Sequence, residues 1–366
     1  MRNFSRASWL ALAAATVGFA ASSSYLTLIG NFGSAIPAYR LNVATGKLDS
    51  LGNLADTKTP AWLALSPNGK FLYAVNEQAD GVTAYTLDPS GKLTLLNSIK
   101  TQGKGPCHAA VDRTGKALFV ANYGSGSLES YMLKPDGSIG DRASFIQNEG
   151  SSADKSRQKG PHAHSANISP DNRFLILADL GLDKLLVFKI DPATAKLTPN
   201  DPPFTSVKPG SGPRHFVFSP DAKHGYVIDE MGNTIIAFDY DKQKGTLHQI
   251  QSISTTPDTY KGSDNSTAEI AISPDGKFLY GSNRGVGTIA VYAIDQNTGQ
   301  LTKVQDAESG GTTIRSFGID PSGTWVLAGL QEKNQVVEFR RDKKTGKLTL
   351  TKTAVDTPTP VCVIFH

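Results

Sequence analysis

The feature that most limits what this chain can fold into is a repeat. An apolar run ending in a Pro/Asp/Gly turn recurs as AWLALSPNGK from 61, CHAAVDRTGK from 107, HSANISPDNR from 164, HFVFSPDAK from 215, AEIAISPDGK from 268 and SFGIDPSGT from 316. The turns start near positions 67, 113, 170, 220, 274 and 321, a spacing of 46 to 57 residues. Proline at the first corner and Asn, Asp or Gly after it suit the dihedral angles of a tight hairpin turn. Each turn leads into a second apolar run, such as FLYAVNE, FLILADLG or HGYVIDE, and then a third, such as VTAYTLD or IAVYAID. A loop of the ATGKL or NTGQL type and a fourth run complete the unit. Four short strands of alternating polarity per repeat predict one blade of a β-propeller.

The ends of the chain set the number of blades. YLTLIGNF at 25 reads as a second strand with no first strand before it, and VCVIFH at 361 as a first strand with no second strand after it. If the two ends share a blade, the C-terminal strand is its innermost member and no open edge is left in the ring. The expected fold is therefore all-β, a seven-bladed β-propeller over residues 21–366. The 35 glycines and 20 prolines fit such a turn-rich chain, and no helix-length apolar period or Pro/Ser-rich linker argues for another domain.

MRNFSRAS carries two arginines and no acid, and the short uncharged run WLALAAATVGFA follows, with Gly18 and Ala20 before a cut. This is the layout of a secretory signal peptide over residues 1–20, and the run is short for a membrane span. The expected location is periplasmic or secreted, with no membrane association after cleavage. Net charge is +4, and Arg2 and Arg6 account for half of it. With no polybasic run or basic–aromatic stripe, nucleic acid is not an expected partner. Cys107 and Cys362, the two cysteines, form no CxxC and read as small buried residues rather than as a disulfide.

Blade geometry predicts a site. First and second strands run antiparallel, so the start of the first and the end of the second lie at one mouth of the central channel. The Pro-Asp-Gly turns crowd the other face. First-strand entrances carry Trp62, His108, His162 with His164, Arg214 with His215, Glu269 and Arg315. Second-strand exits carry Asn31, Asn76 with Glu77, Asn122 with Tyr123, Asp179, Asp229 with Glu230, and Asn283 with Arg284. Four of the seven histidines fall at this rim.

Such a ring supports hydrolysis or isomerisation without a metal or other cofactor. Histidine accepts a proton from water near neutral pH, and arginine holds an anion and steadies a developing oxyanion. Two other readings stay open. His162 and His164 could ligate a metal with Glu230 or Asp179, although Arg214, Arg284 and Arg315 would repel a cation. A non-catalytic propeller could use the rim to bind or scaffold a partner. No Gly-x-Ser-x-Gly elbow precedes a helix, and the glycine runs at 124 and 281 sit in hairpins, so neither a serine nucleophile nor a nucleotide loop is expected.

HSANISPDNR at 164, GSGPRHFVFSPDAKHGYVIDEMGNTI at 210, ISPDGKFLYGSNRGVGTIAVY at 272 and the closing VCVIFH together resemble the seven-bladed propeller lactonases. These include the bacterial propeller-type 6-phosphogluconolactonases and the fungal carboxy-muconate lactonizing enzymes. The resemblance implies an active site of His164, Arg214, Glu230 and Arg284. It matches Arg315 to a further family arginine, with Ile314 where the family has proline. His162, His215 and His108 are then candidate substrate-binding neighbours. The implied activity is hydrolysis of a small-molecule sugar lactone, or its isomerising counterpart on a muconate-like dicarboxylate. An exported member would meet glucono-1,5-lactone rather than a phosphorylated sugar.

Overall fold

The computed structural model describes residues 22–366, so the leader expected at 1–20 lies outside the described residues. Seven four-stranded antiparallel sheets form the blades. Blade 1 joins the C-terminal strand Pro360–Phe365 to Ser24–Asn31, Ala35–Asn42 and Leu48–Asp56. The inner strands of blades 2 to 7 follow in chain order as Pro60–Leu65, Pro106–Val111, Ala163–Ile168, Pro213–Phe218, Thr267–Ile272 and Ile314–Ile319. Each inner strand touches the next and the seventh touches the first, so the ring is closed. One 3-10 turn, Glu77–Ala79, is the only helical segment among the described residues. No helix among them is long and apolar enough to cross a membrane.

The predicted closure is present. Thr27 pairs with Phe365, Leu28 with Ile364 and Ile29 with Val363. Gly30 is required at this seam, because a Cβ there would lie 2.7 Å from Cys362 Cβ and 2.8 Å from the Pro60 carbonyl. Apolar clusters bridge neighbouring blades. At the closure Ile29, Tyr39 and Val363 of blade 1 pack on Leu327 and Val336 of blade 7. Burying a large apolar side chain here contributes roughly 1.5–3 kcal/mol, so the seams hold the ring together with the few backbone hydrogen bonds between blades, such as Thr267 N to the Glu230 carbonyl at 3.2 Å.

The SPDG turns are scaffold. In four repeats the serine hydroxyl accepts the backbone N–H five residues on, as in Phe71 N to Ser66 Oγ at 3.0 Å and Phe278 N to Ser273 Oγ at 3.0 Å. Where serine is absent, Asp112 and Asp320 do the same, accepting from Ala117 N and Trp325 N at 2.9 and 2.6 Å. Both cysteines are free; Cys362 is buried, whereas Cys107 is only partly buried.

Candidate active site

Every blade carries a β-bulge at the entrance of its inner strand. In blade 4 Ala163 pairs with Asp179 and Ser165 with Ala178, which leaves His164 unpaired; in blade 5 Pro213 and His215 pair while Arg214 does not. The same skip isolates Ala61, Cys107, Arg315 and Val361, and a wider one isolates Ala268 and Glu269. A bulge re-aims its extra side chain, and here six of these residues turn into one pocket at the channel mouth. Ala61, Cys107, His164, Arg214, Arg315 and Val361 line it, with Trp62, His215, Phe32 and Glu77.

The second-strand exits divide into two layers. The last strand residue is buried and holds the entrance loop. Asn76 Nδ2 donates to the Lys58 carbonyl at 2.7 Å, and Asp179 accepts from the backbone N–H groups of His162, Gly181 and Leu182. The residue after it is Phe32, Glu77, Tyr123, Glu230 or Arg284 in five of the blades, and Phe32 and Glu77 line the pocket. The pocket wall is thus built mainly from bulge residues, with two residues from just past the exits.

Glu230 is the electrostatic hub. Its Oε2 lies 3.1 Å from Arg214 Nε and 3.0 Å from Arg284 Nη2, and its Oε1 accepts from Arg157 Nη2 at 2.7 Å. Burial alone would raise this carboxyl's pKa, but Arg284, Arg214 and Arg157 outweigh it and bring it down to about 2. Arg214 is itself buried. Burial, with repulsion from Arg315 and Arg284, lowers its pKa to about 10, which leaves it charged at neutral pH. Its Nη1 donates to the Ala268 carbonyl at 2.6 Å and meets His215 Nε2 at 3.2 Å.

That contact settles the tautomer of His215. Guanidinium only donates, so His215 Nε2 accepts, and Nδ1–H donates to Glu269 Oε1 at 2.8 Å. Burial and the Arg214 charge also hold the pKa of His215 below the ordinary value, despite Glu269. Both ring nitrogens are therefore occupied. His164 differs. Its Nδ1 lies 3.9 Å from Cys107 Sγ, and its ring meets Tyr123 and His215 edge-on. Burial, then the charges of Arg214 and Arg315, keep its pKa well below the usual histidine value. It is a neutral imidazole on the pocket wall.

Arg315 lies over the Phe32 ring, 5.5 Å from the centroid, and has no ion pair among the described residues. The pocket is narrow, with about 270 Å³ of empty space that merges with open solvent. A larger cavity of about 1410 Å³ out to open solvent opens on the turn face, lined by the far halves of the inner strands of blades 2 to 5. It holds few charged groups and is the channel.

A family model described as "Lactonase, 7-bladed beta-propeller" matches residues 21–365. The chain belongs to this family. It is 34% identical over 351 residues to the 6-phosphogluconolactonase of Bacillus subtilis (strain 168), covering 94% of this chain and 99% of that one. It is 37% identical over 327 residues to the 6-phosphogluconolactonase of Formosa agariphila, covering 86% and 91%. The structure of the periplasmic gluconolactonase of Pseudomonas aeruginosa aligns with a TM-score of 0.88 at 31% identity, over 94% of this chain and 99% of that one.

Within this lactonase fold the expected residues separate. His164 and Arg214 line the pocket, as do His215 and Arg315. Glu230 and Arg284 stand behind them as a supporting layer. His162 stacks on Tyr123 at 4.5 Å with Nδ1 3.0 Å from the Tyr123 carbonyl, on the outer rim. His108 is deeper: it stacks on Trp62 at 4.3 Å, accepts from Ala166 N at 3.3 Å and lines the turn-face cavity. Among the described residues no three His, Cys, Asp or Glu side chains come together as a metal-binding group. Sequence reasoning missed Arg157, which comes from the long loop before His162 and crosses to Glu230 from outside the repeat. It also read Cys107 as buried structure, whereas the bulge puts its thiol on the pocket wall. The one available signal for Cys107 was its position, equivalent to His164 and Arg214.

Proposed function

We propose that this protein hydrolyses a sugar lactone to the aldonic acid, with glucono-1,5-lactone as the favoured substrate. The observation that carries the reading is a neutral His164 sharing one pocket with Arg214 and an unpaired Arg315. The predicted leader and the likeness to a periplasmic gluconolactonase favour an unphosphorylated substrate and an exported protein.

In this mechanism the narrow part of the pocket holds the attacking water and His164 takes its proton. The lactone carbonyl points at Arg315 and the free edge of Arg214, where negative charge gathers as the carbon becomes tetrahedral. Glu230 and Arg284 are positioning residues. Glu230 holds Arg214 by its Nε, and with both oxygens already paired to guanidinium and a pKa of about 2 it has no proton to give at neutral pH. His215 props Arg214 from the other side, and His162 shapes the rim. Three of the four arginines are committed to one carboxylate, which argues against a muconate-type isomerase that must neutralise two carboxylates on its substrate.

The test is a pH-stat assay over a panel of lactones, with and without chelator, on the wild type, His164→Asn and Arg214→Gln. Each substitution is expected to lower kcat/KM about a hundredfold or more in a folded protein, with no effect of chelator. Unchanged hydrolysis in folded variants, or loss of activity on chelation, would refute the reading.

A further inference from the structure

We propose that Glu77 is the general acid of this site, donating the proton that the ring oxygen needs as the lactone opens. The proposal rests on the lactonase reading above and adds a residue to it. Cleavage of the bond between C1 and the ring oxygen creates an alkoxide, which is a poor leaving group unless protonated as it departs. A carboxylic acid beside the pocket is the simplest donor. Glu230 cannot serve, since both its oxygens are held by guanidinium groups, and Glu269 is hydrogen-bonded to His215.

Glu77 is placed for the task. It lines the pocket, and among the described residues its carboxyl makes no hydrogen bond or ion pair. Its backbone is fixed: Glu77 N donates to the Thr59 carbonyl at 3.2 Å and Gln78 N to Thr59 Oγ1 at 3.1 Å. The result is a free carboxyl on a held turn. Cys107 lines the same wall, and its thiol lies 3.9 Å from His164 Nδ1. Acid and base therefore line one pocket from blades 2 and 4, with Cys107 of blade 3 between them and Arg315 and Arg214 as the charges. Burial raises the pKa of Glu77 while Arg315 and Arg214 oppose it, which favours a protonated carboxyl more than in water.

The step balances. Water adds its oxygen to C1, its proton passes to His164, and the carbonyl π electrons move to the oxygen at Arg315. The tetrahedral centre collapses, the bond from C1 to the ring oxygen breaks, and the ring oxygen takes the Glu77 proton. The new carboxylic acid ionises and returns that proton to Glu77, while His164 gives its own to solvent.

The experiment compares wild type and Glu77→Gln on two kinds of lactone, with folding checked by thermal melting. Glucono-1,5-lactone and δ-valerolactone expel an alkoxide; dihydrocoumarin expels a phenoxide that leaves without help. The variant should lose about a hundredfold or more in kcat on the first pair and under about threefold on the second. It should also lose the fall in kcat/KM on the alkaline side that titration of an essential acid produces. Equal losses on both kinds of lactone, or no loss on either, would overturn the assignment. If dihydrocoumarin is not a substrate, the alkaline limb alone decides. A wild type inactive on every lactone would sink the lactonase reading and this one together; an active wild type with an unaffected variant sinks only Glu77.

Discussion

Glu230→Gln tests the charge hub most directly. The substitution keeps the shape and removes the one negative charge that Arg157, Arg214 and Arg284 share. The carboxyl falls from 4.5 in the unfolded chain to about 2 in the folded one. At 1.36 kcal/mol per pKa unit, that displacement corresponds to about 3 kcal/mol of stability by linkage. Removing one partner of a buried ion pair costs about 3–5 kcal/mol, so two independent routes agree. Because the folded pKa is depressed, this stability is fully present above the unfolded value near 4.5 and is lost as pH falls toward 2. Calorimetry at pH 7 should therefore show the variant melting about 4 °C lower, on an unfolding entropy of roughly 2 cal/mol/K per residue. The gap should narrow as the pH drops from 5 to 3. Equal melting temperatures at pH 7, or a gap that does not change with pH, would refute the hub.

Two further substitutions separate scaffold from site. Arg157→Ala removes a half-exposed arginine that crosses to Glu230 from a loop; we expect under about 1 kcal/mol in stability but a KM raised several-fold on the preferred lactone, and an unchanged KM would show that the loop arginine plays no part in binding. Ala222→Gly addresses a turn in which alanine has φ of 56°, where the equivalent Gly69 and Gly276 have 71° and 72°. Relief of the left-handed strain should stabilise by about 1 kcal/mol net of the glycine entropy cost, a gain of about 1–2 °C; a lower melting temperature would show that the strain is not there.

Much of the fold was legible because its cause is local and repeated. The SPDG turns, the strand lengths and the two orphan strands at the termini are each readable in a window of a few residues, and together they imply a closed ring. The rim was legible from the same repeat, which put His164, Arg214, Glu230 and Arg284 at one mouth. The bulge was not legible. A one-residue skip depends on pairing between strands, and it separates His164 from His162 and from His108, which look equivalent in sequence but face the pocket, the rim and the far channel. Arg157 was hidden for a different reason: its loop lies outside the repeat, and only the folded ring brings it across 73 positions of chain to Glu230.

The charge arrangement also accounts for an apparent conflict at His164. Burial, helped by the charges of Arg214 and Arg315, keeps the imidazole neutral, which makes it available as a base, yet the low pKa makes it a weak one. The conflict disappears along the reaction. In the mechanism proposed above, negative charge forms on the carbonyl oxygen at Arg315 and Arg214 as water attacks and cancels part of the field that disfavoured the imidazolium. The proton would then move to His164 when the site can accept it, and the arginines would act on the base as well as on the oxyanion. Glu230 makes this workable. Without it, buried Arg214 would have no anionic partner in the free enzyme, and its guanidinium would be free to turn from the carbonyl. Paired through Nε, it keeps its outer edge fixed toward the place where charge develops, so no reorganisation is needed at the moment of reaction.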